Sequence, residues 1–176
     1  PKTRIDLTWF YDKGSNRLII ITSSAPPHYE NIADFETQGL EATLTVEPIQ
    51  NLSLFTGGTW IYKRSPDNLP YAPEWTASAG GNLRLFRYLK ISLDTTYQDS
   101  QYVANNRNLN YGASITKIDG FWILNGKISW EFILPKPALT GEVYLAGENL
   151  TNVHYAYKKD YPMPGINCHL GLNIRF

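Results

Sequence analysis

The sequence predicts an all-β protein: an antiparallel transmembrane β-barrel segment of about nine meander strands, part of a larger barrel. Three observations carry this. Apolar and polar residues alternate with period two along most of the chain, which puts successive side chains on opposite faces. The connections alternate between short and long, which in a meander gathers short turns at one end and long loops at the other. Aromatic residues stand near strand ends on the apolar face, like the two girdles that bound the aliphatic band of a membrane barrel.

In chain order, the first strand spans about 3–12, with Ile5, Leu7, Trp9 and Tyr11 opposite Arg4, Asp6 and Thr8. Residues 12–16 read as a short turn. A second strand, about 17–23, is apolar on both faces (Leu18, Ile19, Ile20, Ile21), so its register is not specified. A long connection leads to the third strand, about 36–47, where Leu40, Ala42, Leu44 and Val46 alternate with Glu41, Thr43, Thr45 and Glu47. After a tight turn at 48–51, the fourth strand, about 52–63, carries Leu52, Leu54, Gly58, Trp60 and Tyr62 on one face. A polar loop precedes the fifth strand, about 73–85, and a short turn at 86–89 precedes the sixth, about 90–102.

The long polar stretch 104–117 leads to the seventh strand, about 120–132, with Trp122, Leu124, Ile128 and Trp130 opposite Asn125, Lys127, Ser129 and Glu131. An eighth strand, about 141–148, and a long loop precede the last strand, 167–176, where Leu170, Leu172, Ile174 and Phe176 oppose His169, Gly171, Asn173 and Arg175. Trp60, Trp75 and Trp122 are expected near the long-loop end, and Trp9 and Trp130 near the short-turn end. Bacterial barrels have even strand numbers, so an odd count points to a C-terminal part whose missing strands precede Pro1.

The second face is too polar for a soluble core. Burying Glu41, Glu47, Asp94, Lys127, Glu131 and Arg175 unpaired would cost several kcal/mol each, whereas a wet or plug-filled lumen accommodates them. A one-sided soluble sheet needs a covering layer, and no helix or second sheet is apparent to supply it. Lysine plus arginine and aspartate plus glutamate balance at 16 each, which leaves no electrostatic footprint for nucleic acid. Mean hydropathy is −0.32, and no apolar run approaches the length of a transmembrane helix. A barrel is compatible with that value, because alternate residues face water. Cys168 is the single cysteine and reads as a small packing residue. His28, His154 and His169 are too dispersed to suggest a metal cluster. No catalytic motif stands out, and no enzyme activity or cofactor is expected. Gly57-Gly58 and Gly80-Gly81 suggest bends or a close approach by another backbone.

Several blocks resemble the C-terminal barrel segment of TonB-dependent outer-membrane receptors. They are Gly39-Leu40-Glu41-Ala42, Tyr71-Ala72-Pro73-Glu74-Trp75 and, most specifically, Glu148-Asn149-Leu150-Thr151-Asn152-Val153-His154-Tyr155, followed by Tyr161-Pro162-Met163-Pro164-Gly165 and the terminal strand. Ile166 stands where the family often has arginine. The resemblance implies a barrel of roughly 22 strands with a plugged lumen, located in the outer membrane of a Gram-negative cell. It also implies active uptake of a scarce nutrient, most naturally a ferric siderophore or other iron chelate, energised by the TonB complex. On this reading residues 1–176 are the C-terminal portion of the barrel, and the plug and TonB-contacting segment lie elsewhere.

Ligand contacts are expected from the long loops, where Tyr29, Asn105, Arg107, Tyr111, His154, Tyr155 and Tyr157 offer ring faces and hydrogen-bonding groups. Arg107, Lys158 and Lys159 could attract an anionic chelate or the phosphates of lipopolysaccharide. The charged residues of the polar face could also bond to a plug. The terminal Phe176 resembles the signal read by the outer-membrane assembly machinery. The competing readings are a passive porin-like channel and a soluble β-sandwich or lectin-like binding domain.

Overall fold

The computed structural model describes residues 1–15, 17–21, 26, 28–32, 34–64, 70–105, 114–135 and 139–176. In the first half, β1 (Lys2–Gly14), β2 (Arg17–Ile21), β3 (His28–Ile32), β4 (Phe35–Ile49), β5 (Leu52–Arg64), β6 (Trp75–Leu85) and β7 (Leu89–Gln98) follow one another. The second half contributes β8 (Gln101–Asn105), β9 (Ser114–Ile118), β10 (Phe121–Leu134), β11 (Leu139–Glu148), β12 (Ala156–Lys158), β13 (Tyr161–Pro162) and β14 (Asn167–Arg175). Eight of these form one antiparallel sheet in the order β1-β4-β5-β6-β7-β10-β11-β14. The other six pair locally as β2–β3, β8–β9 and β12–β13.

The all-β meander is as expected, but the sheet has eight strands rather than nine. The stretch expected as its second strand pairs instead with β3, from Arg17↔Ile32 to Ile21↔His28, in a separate hairpin. Its physical cause is visible in the sequence: Leu18–Ile21 has no polar alternate, so nothing pins it to a sheet with two different faces. Meanwhile β1 runs on to pair Gly14 with Phe35. Asp12, Lys13 and Gly14 of the short turn expected at 12–16 thus belong to β1 itself, Asn16 lies outside the described residues, and the parity argument from nine strands falls away. The expected sixth strand also stops early, at Gln98, where the Ser100 amide donates to Asp99 Oδ1 at 2.6 Å before β8 begins.

With this correction the alternation of connections becomes regular. Short links join β4 to β5, β6 to β7 and β10 to β11, while long ones, three of them containing a hairpin, join β1 to β4, β5 to β6, β7 to β10 and β11 to β14. The β6–β7 turn places Phe86 and Arg87 in the left-handed region (φ 50° and 66°), uncommon for residues with a side chain.

Register assigns every side chain to a face. One row reads Trp9, Leu40, Trp60, Trp75, and another reads Leu52, Leu83, Ile91, Ile128, Leu145, Leu170. These rows belong to the apolar face, which is open to its surroundings along much of its extent: Leu7 is 68 %, Trp9 65 % and Leu170 80 % accessible. Trp9 therefore belongs to the long-loop girdle, not the short-turn girdle expected for it. The reason is the same misplaced turn, which reversed the end at which β1 finishes. The Trp60 and Trp75 rings lie 6.2 Å apart in that girdle, and at the other end Tyr88 stacks on Trp130 at 6.0 Å.

Among the described residues, the buried apolar side chains are only Val103, Phe121 and Ile123. The chain exposes 12488 Å², against about 8,700 Å² for a globular monomer of 20 kDa. A single layer with its apolar side bare does not fit a self-contained soluble domain.

Glycines on the sheet are filled from across the strand. Phe10 lies over Gly39, Phe55 over Gly80 and Tyr144 over Gly171, each pair directly opposite in register. The Gly80-Gly81 pair is therefore a seat for Phe55 on one face and Leu54 on the other. At Gly39 a Cβ would also meet the Trp60 carbonyl oxygen at 2.5 Å, a backbone atom that cannot swing aside. Replacing Gly39 by Ala is expected to destabilise the folded receptor by about 2 kcal/mol, read as a lower urea midpoint for unfolding from lipid vesicles.

Candidate functional site

The polar face holds many of its charges in pairs. Arg4 donates to Asp6 at 2.8 Å, Lys2 faces Glu47 at 3.9 Å, Lys127 meets Glu142 at 3.0 Å and Lys90 pairs with Glu131. The Asn125 amide donates to Asp94 Oδ2 at 2.8 Å, and the Asn173 amide to Glu142 Oε2 at 3.0 Å. Of the charged residues singled out on this face, Glu47, Asp94, Lys127 and Glu131 are engaged within the wall. Between these staples, Thr43, Thr59, Thr76, Ser78 and Thr96 surround Gly57 in a recess of about 370 Å³ whose one charged lining residue is Glu41. Small side chains there leave room for close approach by another polar surface.

At the long-loop end, the connection from β11 to β14 is built around Asn149, which is 2 % accessible and left-handed at φ 49°. Its amide nitrogen Nδ2 donates to the carbonyls of Val153 (2.9 Å) and Pro164 (3.2 Å), and its Oδ1 accepts from the Val153 amide at 2.9 Å. Its own backbone N–H donates to Asn125 Oδ1 at 3.0 Å, which continues the chain of bonds to Asp94. Asn152, also left-handed, accepts from the Ile166 amide at 3.1 Å. Leu150 sends its amide to the Leu124 carbonyl at 2.7 Å and lays its side chain over Gly147. The block from Glu148 to Asn152 is thus a structural knot that fixes where the loop leaves the wall.

From that knot the loop brings Tyr155 and Tyr157 onto Phe121. Ring centroids are 4.5 Å apart for Phe121–Tyr155, 5.2 Å for Phe121–Tyr157 and 5.7 Å for Tyr155–Tyr157. Burial pushes the Tyr155 phenol above its ordinary pKa, with Tyr157 and Glu148 adding to the effect, so it remains a neutral hydroxyl at physiological pH. Lys158 lies over the Tyr161 ring at 5.2 Å.

Of the residues expected to contact ligand, the structure brings together Tyr155 and Tyr157. His154 is exposed beside them. Tyr29 is 70 % accessible on β3, in a different hairpin, and Asn105 ends β8 opposite Ser114. Arg107 and Tyr111 lie outside the described residues. Phe176 is fully exposed just beyond β14. Sequence reasoning missed Phe121 and Asn125. Phe121 had a signal, since it is an aromatic residue on the face of β10 that also carries Asn125, Lys127, Ser129 and Glu131. Asn125 had none, because its partner Asn149 lies in another strand connection.

A meander with aromatic belts on one face and charge staples on the other is the wall of a β-barrel. The family model described as "TonB dependent receptor-like, beta-barrel" matches residues 1–150, and the chain belongs to that family. The family is one of receptors, not enzymes.

Among solved structures, the siderophore receptor PiuA from Acinetobacter baumannii aligns over 97 % of this chain and 26 % of its own, with a TM-score of 0.71 and 15 % identity. The Pseudomonas aeruginosa receptor FpvA bound to a heterologous pyoverdine gives 0.73 at 13 % identity, over 97 % of this chain and 24 % of that one. The ferric-catecholate import receptor Fiu of E. coli gives 0.69 at 14 % identity, over 98 % and 25 %. The chain therefore spans about a quarter of the length of these structures, and at these identities the likeness is one of fold. A comparison with curated protein sequences gave no match.

Asn149→Ala removes three side-chain hydrogen bonds and leaves two carbonyls and an amide unpaired, a cost of about 3 kcal/mol. The expected result is faster hydrogen exchange and protease cleavage confined to residues 149–166, with the strands still protected.

Proposed function

We propose that this chain is the C-terminal wall of an outer-membrane receptor that takes up an iron chelate, most naturally a ferric siderophore, with energy from the TonB complex. The observation that carries the reading is the family match over residues 1–150, joined to a sheet whose two faces suit lipid and lumen. The relatives described as siderophore and ferric-catecholate receptors support an iron chelate as cargo. On this reading the apolar rows meet hydrocarbon, the belts at Trp60–Trp75 and Tyr88–Trp130 meet the two interfaces, and the long-loop end faces outward. Lipopolysaccharide would then surround the upper belt.

The chain's own residues would position the cargo rather than react with it. The Asn149 knot holds the Tyr155–Tyr157 shelf rigidly against the wall, so an arriving chelate meets ring faces whose ordering cost is already met by folding. His154, Tyr29, Asn105, Arg107 and Tyr111 would add donors from neighbouring loops. The plug, the TonB-contacting segment and energy coupling belong to the rest of the receptor. Phe176 would serve recognition by the assembly machinery.

Uptake of radiolabelled ferric siderophore by cells carrying the intact receptor, with and without TonB, tests the reading. TonB-dependent accumulation is expected; accumulation without TonB together with ion conductance in planar bilayers would establish a passive channel instead. Tyr157→Ala should weaken chelate binding about 3- to 10-fold without changing receptor levels, measured by fluorescence quenching. Phe176→Ala should lower the amount of assembled receptor in outer membranes more than it lowers affinity per assembled molecule, as followed by heat-modifiable mobility and ligand titration.

A further inference from the structure

The hydrogen bonds that fix the last long connection run past Asn149 to a carboxylate in the wall. Asp94 on β7 and Asn125 on β10 stand directly opposite each other on the polar face, and Asn125 Nδ2 donates to Asp94 Oδ2 at 2.8 Å. Asn125 Oδ1 accepts the Asn149 backbone N–H at 3.0 Å. Asn149 in turn holds both arms of the excursion that carries Tyr155 and Tyr157, Val153 on one side and the Pro164 carbonyl on the other. The Met163 amide closes the same excursion by donating to the Tyr155 carbonyl at 2.9 Å.

Asp94 differs from Glu47, Glu131 and Glu142, each of which meets a lysine; among the described residues no cation pairs with it. On its other side Asp94 faces Gly80, which has no side chain to offer. The next residue on that face of β10, Lys127, is taken by Glu142. A carboxylate presents only acceptors, while an amide is a donor at one end and an acceptor at the other. Beside Asp94 the Asn125 amide therefore has one favourable orientation, with Nδ2 toward β7 and Oδ1 toward the loop. Turned over, it would set its oxygen against the carboxylate and its NH2 against the Asn149 N–H. That N–H belongs to a residue 2 % accessible and held in the left-handed region at φ 49°, where an orphaned donor is costly. The loop's second tie to β10, from the Leu150 amide to the Leu124 carbonyl at 2.7 Å, is backbone to backbone and needs no such setting.

The geometry points to Asp94 as a positioning residue. From within the wall it sets the Asn125 amide, and through that amide the Asn149 knot and the place of the Tyr155–Tyr157 shelf. It acts without touching cargo. The inference rests on the receptor reading above only in treating the shelf as a cargo contact; the order of the loop is measurable by itself.

The test uses the intact receptor in lipid vesicles. Hydrogen exchange is read by mass spectrometry on peptides covering residues 149–166, and binding is titrated with a ferric trihydroxamate and a ferric tricatecholate as probes. Asp94→Ala is expected to speed exchange across 149–166, and to weaken whichever probe binds, by about five-fold, with the β7–β10 ladder as protected as before. Asn125→Asp alone sets two carboxylates against each other and should also loosen the loop. The exchanged pair Asp94→Asn/Asn125→Asp rebuilds the donor and acceptor in reverse between the strands and keeps an oxygen for the Asn149 N–H. It should return exchange and affinity to within about two-fold of the wild type. A carboxylate that merely stabilises the wall predicts lost protection in the ladder as well and no recovery in the exchanged pair. Should Asp94→Ala fail to assemble, the comparison of Asn125→Asp with the exchanged pair decides. Unchanged exchange at 149–166 in the single variants, or an exchanged pair no better than Asn125→Asp, overturns the inference. Binding of neither probe to the wild type would count against the chelate reading alone, since exchange is measured without cargo.

Discussion

Backbone hydrogen bonding is the constraint on which the rest of this structure depends. A sheet that turns an apolar face toward hydrocarbon has no water there to satisfy unpaired N–H and C=O groups, and each one left open costs several kcal/mol. Long uninterrupted ladders follow. β1 pairs with β4 without a break from Lys2↔Glu47 to Gly14↔Phe35, and β6 with β7 from Thr76↔Gln98 to Leu85↔Leu89. The irregularity between β4 and β5 falls near the short turn, between Val46 and Ile49, where the strands are about to reverse. Once ladders of that length are fixed, every side chain has an assigned face, and a shift of one residue would carry leucines to the polar face and charges to the apolar one.

The same constraint explains how glycine and charge are used. A wall without a second layer cannot bury its side chains against an opposing sheet, so packing has to be lateral. Phe10, Phe55 and Tyr144 lie flat over Gly39, Gly80 and Gly171 on the neighbouring strand, restoring contacts that a core would otherwise supply. Lysines and carboxylates on the polar face join adjacent strands, as Lys127 does to Glu142 across β10 and β11. Exposed pairs of this sort contribute little individually, about 0–1 kcal/mol. Their larger effect is to oppose register slip, since moving one strand would separate every pair together.

Much of this was legible in the sequence because period two is a local signal. The faces of β4, β10 and β14 follow directly from alternation, as do the girdle positions of Trp60, Trp75, Trp122 and Trp130. What alternation cannot give is the partner of a strand that lacks it. Leu18–Ile21 is apolar throughout, and the Asp12–Asn16 stretch has the composition of a hairpin turn, so the pair imitates a barrel strand returning at once. That one misreading also moved Trp9 to the wrong end. The Glu148–Asn152 block was recognisable as the most distinctive part of the chain, yet its role was not, because Asn149 works through Asn125, Val153 and Pro164, and the first of these lies 24 positions away. Tyr155 and Tyr157 stood out as candidates, while the surface that orders them, Phe121, hid in a strand read for its alternation.

The two ends of the wall differ in how completely they satisfy themselves, and that difference bears on function. At the long-loop end, Asn149 saturates both sides of its amide, Asn152 takes the Ile166 amide, and the three rings at Phe121, Tyr155 and Tyr157 close on one another. A segment with its polar groups already paired can present a fixed shelf, and its shape is set before any cargo arrives. At the short-turn end the glutamates are also committed, but to lysines and an asparagine, which leaves guanidinium charge over. The first end is therefore closed on itself, whereas the second keeps positive charge beyond its ion pairs. The two ends of one wall thus differ in kind: aromatic contact and saturated amides fix the long-loop end, and ion pairing fixes the short-turn end.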